Sequence, residues 1–167
     1  MKLIWTKSSA LLSKAVRWGL GHDCSHFAIV FNSPAGGLMF EANLLGTHPR
    51  FFKTALAHGM EVVHELDLPI SVEEENSVWD HVVDALDNKE YDYKGFLYFA
   101  VRGFLWRFFR VPFPTKNKWA QRKTYLCVAI FNAVKKYTVL KDVEMDISMT
   151  APHALYSLLN GAKEEGA

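Results

Sequence analysis

Strand-like and helix-like patterns occupy different parts of this chain, and that separation constrains its fold more than any other feature. All the strand-like segments lie within the first 68 residues, bounded by turn residues: KLIW, SHFAIVF, GLMFEANL and MEVVHELDL. Most of the later chain has apolar residues at helical spacing. This order predicts an α+β fold, a small antiparallel sheet packed by helices. A chain of 167 residues fits one domain, residues 1–167.

Capping residues indicate where several helices begin. SVEEENSVWDHVVDALDNK has Ser71 as cap and Glu74 to complete a capping box. SSALLSKAVRWGL is expected to start at a serine cap, and HPRFFKTALAHG is predicted as a helix with Thr47 as cap and Pro49 in its first turn. Further helices are expected at about 94–110 and in two later segments, TYLCVAIFNAVKKY and APHALYSLL.

The start of the chain does not resemble a signal peptide, because Lys7, Lys14 and Arg17 interrupt its apolar runs. The stretch GFLYFAVRGFLWRFF is too short and too charged to span a bilayer. We therefore expect a cytoplasmic protein, made without export. The two cysteines, Cys24 and Cys127, favour reduced thiols in such a compartment and leave a single disulfide open.

Basic residues are concentrated in residues 94–123. This segment contains eight Lys or Arg and no Asp or Glu, so the rest of the chain has 11 basic and 18 acidic residues, a net charge of −7. It is also rich in Phe, Trp and Tyr, which is typical of a membrane-interface segment. The alternative is a buried helix whose arginines extend to solvent. Nucleic-acid binding is disfavoured, because the whole chain has a net charge of only +1 and no recognition motif.

The hairpin formed by SHFAIVF and GLMFEANL contains one histidine and one carboxylate that a plausible register places on the same face. If Phe31 pairs with Leu38, Ala28 faces Glu41, and His26 lies diagonally from Glu41 on the same face. A carboxylate there would fix the imidazole tautomer and favour the protonated ring. The alternative is an edge strand with Glu41 in solvent and His26 as an ordinary strand histidine.

Cys127 is predicted to lie in the first turn of a helix capped by Thr124. Main-chain N–H groups at a helix start stabilise a thiolate. The alternative is an inert, buried cysteine. A helix-start cysteine, a strand histidine and an acceptor behind it form the minimal papain-type triad, although spacing alone does not establish one.

The order of these motifs resembles the permuted papain-fold cysteine peptidases and amidases, in the YiiX-like branch related to NlpC-type cell-wall hydrolases. In that group the histidine strand precedes the cysteine helix. The similar segments span nearly the whole chain: LIWTKSSALLSKAVRWGLGHDCSHFAIVF, MFEANLLGTHPRFF, YDYKGFLYFA, YLCVAIFNAVKKY and MTAPHALYSLL.

The resemblance implies a function for five residues. Cys127 would be the nucleophile, His26 the base and Glu41 the residue that orients His26, while Tyr91 or Tyr93 would line the substrate pocket. Many relatives have Ser-Glu after the cysteine, where this chain has Val128 and Ala129. The implied activity is hydrolysis of a peptide or amide bond, including those of cell-wall peptides in bacteria or phages, without a cofactor.

Three other interpretations remain open at this point. A related thiol enzyme could act on a lipid or thioester acyl group, and an inactive module of the same fold could bind a partner. A zinc site would need His22, Cys24, His26 and a fourth ligand such as Cys127, but the spacing is unlike common zinc motifs, so no metal is expected. The other histidines, from His48 to His153, are expected mostly at the surface, with only His48 near enough to Glu41 to compete for the third role.

Overall fold

The computed structural model describes residues 1–32, 37–112, 127–142 and 150–164. Five strands in these ranges form one antiparallel sheet in the order β4-β3-β2-β1-β5. Their bounds are β1 Lys2–Ser8, β2 His26–Phe31, β3 Leu38–Asn43, β4 Gly46–Phe51 and β5 Met60–Asp67. The α-helices in the same ranges are α1 Leu11–Leu20, α2 Phe52–Ala57, α3 Val72–His81, α4 Tyr93–Phe109, α5 Phe131–Tyr137 and α6 Pro152–Glu164. This confirms the predicted α+β class.

The alternating pattern of the strands separates two apolar clusters, one on each face of the sheet. The larger cluster contains Trp5, Phe27 and Phe40 from the sheet, packed against residues of α3, α5 and α6. The smaller cluster lies around Ala28 and Met39 and is covered by α2. The strand hydrophobics are therefore buried on both faces.

The pairing of β2 with β3 is the one expected from the hydrophobic pattern. Phe31 pairs with Leu38 and Ala28 pairs with Glu41. The turn that joins these strands, residues 33–36, lies outside the described residues. Because β4 and β1 flank this pair, neither β2 nor β3 is an edge of the sheet. The alternative of an edge strand with Glu41 in solvent is therefore wrong.

The capping box of α3 is confirmed. The Ser71 side chain accepts a hydrogen bond from the Glu74 N–H, and the Glu74 carboxylate accepts one from the Ser71 N–H. A π-helical turn, Val82–Leu86, continues α3. Val78, Val82 and Leu86 are all buried, as the predicted stripe requires.

Two predicted caps are wrong. The cap position of α1 is Ala10, whose side chain has no capping group, and Ser13 instead accepts a bond from the Ser8 N–H. The segment from Thr47 is not a helix start but strand β4, and α2 begins only at Phe52. The Thr47 N–H and C=O bond to Lys89 and Asn88, so the neighbouring segment holds this stretch extended. Pro49 is tolerated there because β4 is the last strand of the sheet.

Helix α4 matches the predicted aromatic helix, and Asp92 caps it by accepting from the Gly95 N–H. A 3₁₀ turn, Cys127–Ile130, leads directly into α5. The proposed Thr124 cap and residues 113–126 lie outside the described residues. Within the described ranges no helix is both long and apolar enough to cross a bilayer.

Candidate active site

His26 and Glu41 form a direct hydrogen bond at the start of β2. The Nε2–H of His26 donates to Glu41 Oε2 at 2.8 Å. Glu41 is 3% exposed although it is ionisable, and such a residue is costly to bury without partners. The pairing register of β2 and β3 brings these two side chains onto one face as diagonal neighbours.

The second oxygen of Glu41 is held by two further side chains. Arg50 Nη1 and Asn43 Nδ2 each donate to Oε1 at 3.0 Å. His48, opposite Glu41 in β4, is farther away, with its Nε2 3.9 Å from Oε1. Burial alone would raise the pKa of Glu41, but the bonds with His26 and Arg50 outweigh it and lower the pKa to about 2. Glu41 is therefore ionised, and its Oε2 stays directed at His26.

Cys127 lies close enough to His26 to affect the charge of the ring. Because Nε2 is engaged by Glu41, Nδ1 is the ring nitrogen available to the thiol. Burial opposes protonation of the ring, but the hydrogen bonds to Cys127 and Glu41 outweigh it and raise the pKa of His26 to about 10. Residues from distant parts of the sequence, Cys127 and the His26–Glu41 pair, thus lie close together.

The 3₁₀ turn that begins at Cys127 packs against β2 and β3. Cys127 is 7% exposed, and the next residues, Val128 and Ile130, are buried in the larger core cluster. Core packing therefore fixes the backbone that carries the thiol. Val128 is buried in this packed interior, and Ala129 is partly buried at its border.

An open groove of about 390 Å³ contains His26 and Glu41 in its wall. Its lining comes from β1, the start of α1, β2, the β3–β4 turn and the residues before α4. Tyr91 lines this groove. Burial raises the pKa of Tyr91 most, and the electrostatic effect of the nearby Cys127 raises it further. Tyr93 is exposed, and its hydroxyl donates to the Leu44 carbonyl at the groove's rim.

A second, apolar groove of about 240 Å³ lies between α1 and α4. It joins the first groove, because Leu12, Val16 and Phe96 line both. The helices approach closely at Gly19 and Gly103, where a Cβ on Gly103 would lie 3.4 Å from the Gly19 carbonyl oxygen. The groove that contains His26 thus lies beside an apolar groove.

Arg50 and Asn43 are site residues that the sequence analysis missed. Because the segment from Thr47 was predicted as a helix, the strand that places Arg50 next to Glu41 was not expected. A usable signal was present: Gly46 follows Asn43 after two residues, as in a tight hairpin, and His48 and Arg50 then alternate on one face.

The two cysteines are free thiols in the described structure. Burial, followed by the charges of Asp23 and Cys127, raises the pKa of Cys24 to about 12. His22 does not join His26 but stacks on His153, with ring centroids 4.0 Å apart. Of the five remaining histidines expected at the surface, all of which the structure describes, only His58 is exposed.

Comparison with protein-family models, curated proteins and solved structures found no match to this chain. The resemblance to permuted papain-fold hydrolases therefore remains a prediction based on the order of the motifs and the geometry of the site.

Proposed function

We propose that this protein is a cysteine hydrolase of the permuted papain type, with Cys127 as nucleophile, His26 as base and Glu41 as the residue that orients His26. The observation that carries the proposal is the His26–Glu41 hydrogen bond, together with the packing of the turn that begins at Cys127 against β2 and β3. In a cysteine–histidine–carboxylate site the carboxylate fixes the tautomer of the ring and stabilises the imidazolium that forms.

The proposed reaction has two steps. With the thiol proton on His26, the sulfur of Cys127 attacks the carbonyl carbon, and collapse of the adduct breaks the C–N bond as His26 protonates the leaving amine. Water then loses a proton to His26 and attacks the thioester, which releases the acid and restores the thiol. The main-chain N–H of Cys127 is the proposed donor to the oxyanion.

We propose an amide or peptide bond as substrate, with cell-wall peptides as the leading class. The groove beside His26 supports this, because Lys7, Ser8, Asn43 and Arg50 supply polar groups along its wall. Such groups can hold the backbone and carboxylates of a peptide.

The first test is the rate of Cys127 alkylation by iodoacetamide, with Cys24 as internal control. Cys24 is 1% exposed and should react slowly. At about pH 6, Cys127 should react far faster than Cys24 in wild type and lose that advantage in His26→Ala. Cys127→Ala should abolish hydrolysis of peptide substrates while the circular dichroism spectrum is unchanged. Equal, slow reaction of both thiols would instead favour an inactive module that binds a partner.

A second candidate function is hydrolysis or transfer of a lipid or thioester acyl group. The apolar groove between α1 and α4 favours it, because it borders the polar groove that contains His26. An acyl chain in the apolar groove would place its carbonyl end toward His26.

Acyl esters of increasing chain length separate the two candidates. If the apolar groove binds the acyl chain, kcat/KM should rise about fourfold per added methylene of the substrate until the groove is full. Ala100→Trp, inside the groove, should abolish that dependence, whereas Ala57→Trp, on the exposed end of α2, should not. A rate independent of chain length in wild type excludes the acyl candidate and leaves the amide hydrolase.

A further inference from the structure

Donor atoms of three different chemical types converge beside the candidate active site. Asp23 and Cys24 lie in the loop between α1 and β2, and His153 lies in the first turn of α6. One donor atom from each of these side chains lies within 4.8 Å of the other two. Cys24 is buried, His153 is partly exposed and Asp23 is half exposed, so the three groups lie at the edge of the core and open to solvent.

His153 presents one ring nitrogen to this group. Its Nδ1 is buried, has no hydrogen-bond partner among the described residues and lies 3.8 Å from Asp23 Oδ1. The other nitrogen, Nε2, lies 3.4 Å from the Ser157 hydroxyl. If Nε2 carries the proton and donates to Ser157, Nδ1 directs a lone pair at Asp23 and Cys24. A ligand histidine usually has its second nitrogen fixed in this way.

His64 approaches the same carboxylate from β5. Its Nε2 lies 3.1 Å from Asp23 Oδ2 and, like His153 Nδ1, is buried without a hydrogen bond to any part of the chain that the structure describes. The ring is held in place by stacking on Tyr156, with centroids 4.0 Å apart. Two ring nitrogens without a well-aligned hydrogen bond among the described residues therefore lie within 4 Å of one carboxylate.

We propose that Asp23, Cys24 and His153 bind a zinc ion, with His64 positioning the Asp23 carboxylate. Zinc accepts sulfur, nitrogen and oxygen ligands in one tetrahedral site, which suits this set better than a harder cation. Bond lengths of about 2.0–2.3 Å place tetrahedral ligands about 3.3–3.8 Å apart, so the observed separations need only small side-chain rotations.

Zinc binding at this site would release one proton from a thiol and would link two separate parts of the fold. The Cys24 thiol loses one proton as the Zn–S bond forms, and water completes the fourth position. Asp23 is half exposed and gives the ion a path from solvent. The bound ion would tie α6 to the loop that precedes His26, so it would stabilise the fold near the proposed base. The sequence predicted no metal, whereas this proposed site would use Cys24 as a ligand.

The test uses the full chain carrying Cys127→Ala, because a Cys127–His26 pair can itself bind zinc. Titration with Co²⁺, as a spectroscopic substitute, should give one equivalent bound, with a thiolate-to-metal charge-transfer band and the visible bands of a tetrahedral ion. Zn²⁺ should displace Co²⁺ and remove both. This measurement does not depend on whether Cys127 is catalytic.

Variants locate the ion. Cys24→Ser should remove the charge-transfer band, and Asp23→Asn and His153→Ala should each weaken Zn²⁺ binding by at least about 100-fold. His81→Ala is the matched control, because His81 contacts Tyr137 and not this cluster. Because the Asp23 side chain is half exposed, Asp23→Asn should leave the fold intact and so separates loss of binding from loss of folding. The proposal fails if no stoichiometric binding occurs, if the band persists in Cys24→Ser, or if Asp23→Asn binds as tightly as the control.

Discussion

At the scale of single residues, the candidate site depends most on Glu41. Its carboxylate is 3% exposed and accepts hydrogen bonds from His26, Asn43 and Arg50. Arg50 and Asn43 share one oxygen, which leaves the other for His26. Glu41 is therefore both a structural ion-pair partner and the group that sets the tautomer of His26.

Glu41 should make the stability of the protein depend on pH in the acid range. Its pKa is lowered to about 2 from 4.5, so its contribution is complete above pH 4.5 and is lost as pH falls toward 2. Glu41→Gln should lower the free energy of unfolding at neutral pH by about 2–3 kcal/mol, less than a fully buried pair, because His26 and Arg50 are partly exposed. The same substitution should also make the free energy of unfolding depend less on pH between about pH 2 and pH 4.5. Urea unfolding at several pH values measures both.

Glu65→Gln is the matched control for that substitution. Glu65 lies on β5 in an exposed ion pair with Lys2 at 3.4 Å, so its loss should change stability by less than about 1 kcal/mol. If the free energy of unfolding depended on pH in the same way in wild type and Glu41→Gln, Glu41 would not form this stabilising ion pair.

At the scale of elements, the β3–β4 hairpin determines whether Glu41 receives its second set of partners. Asn43 pairs with Gly46 across a two-residue turn, and β4 then carries His48 and Arg50 along the Glu41 side. Gly46 has φ +107°, and a Cβ there would lie 2.5 Å from the Lys89 carbonyl oxygen. The hairpin needs glycine for its backbone conformation and for the close approach of residue 89.

Gly46→Ala should therefore destabilise the protein more than an alanine at an unobstructed left-handed glycine. Gly59 provides the comparison, since it has φ +85° and a Cβ placed on it would have no described atom within 4 Å. Gly59→Ala should cost about 1–2 kcal/mol from backbone strain alone, and Gly46→Ala should cost clearly more. Urea unfolding of both variants checks this, and equal losses would show that the contact with Lys89 is relaxed at little cost.

At the scale of the whole molecule, charge and exposed apolar area coincide on α1 and α4. Neither helix contains Asp or Glu, and together they have five Lys or Arg. Trp18, Phe104, Phe108 and Phe109 are each about half exposed or more. Apolar and basic groups on one surface are complementary to an anionic lipid surface.

This face should bind vesicles that contain phosphatidylserine and not vesicles of phosphatidylcholine alone. Attraction to anionic lipid should weaken as salt is raised, because the charges are exposed. Phe109→Glu should reduce co-sedimentation at least about tenfold, since it removes apolar contact and adds a repelled charge. Val72→Glu, an equally exposed apolar position on α3, is the control. Absence of binding, or equal loss in the two variants, would exclude a membrane contact through α1 and α4.

Several features of this protein were determined by local sequence. The β2–β3 register, the α3 capping box and the helix at α4 follow from alternation, caps and spacing, which act between near neighbours. The pairing of His26 with Glu41 was predictable for the same reason, because a period of two puts both on one face once Phe31 meets Leu38.

The rest was decided by tertiary packing. Thr47 lies in a strand, held by backbone hydrogen bonds with Asn88 and Lys89, and this strand brings Arg50 to Glu41. Cys127 lies near His26 because a core-packed turn positions it against β2 and β3. His153 meets Asp23 and Cys24 because α6 docks beside β1, where the Trp5 indole donates to the Pro152 carbonyl. Such contacts join residues far apart in the chain, and no local pattern encodes them, because they depend on how complete elements bury their apolar faces against each other.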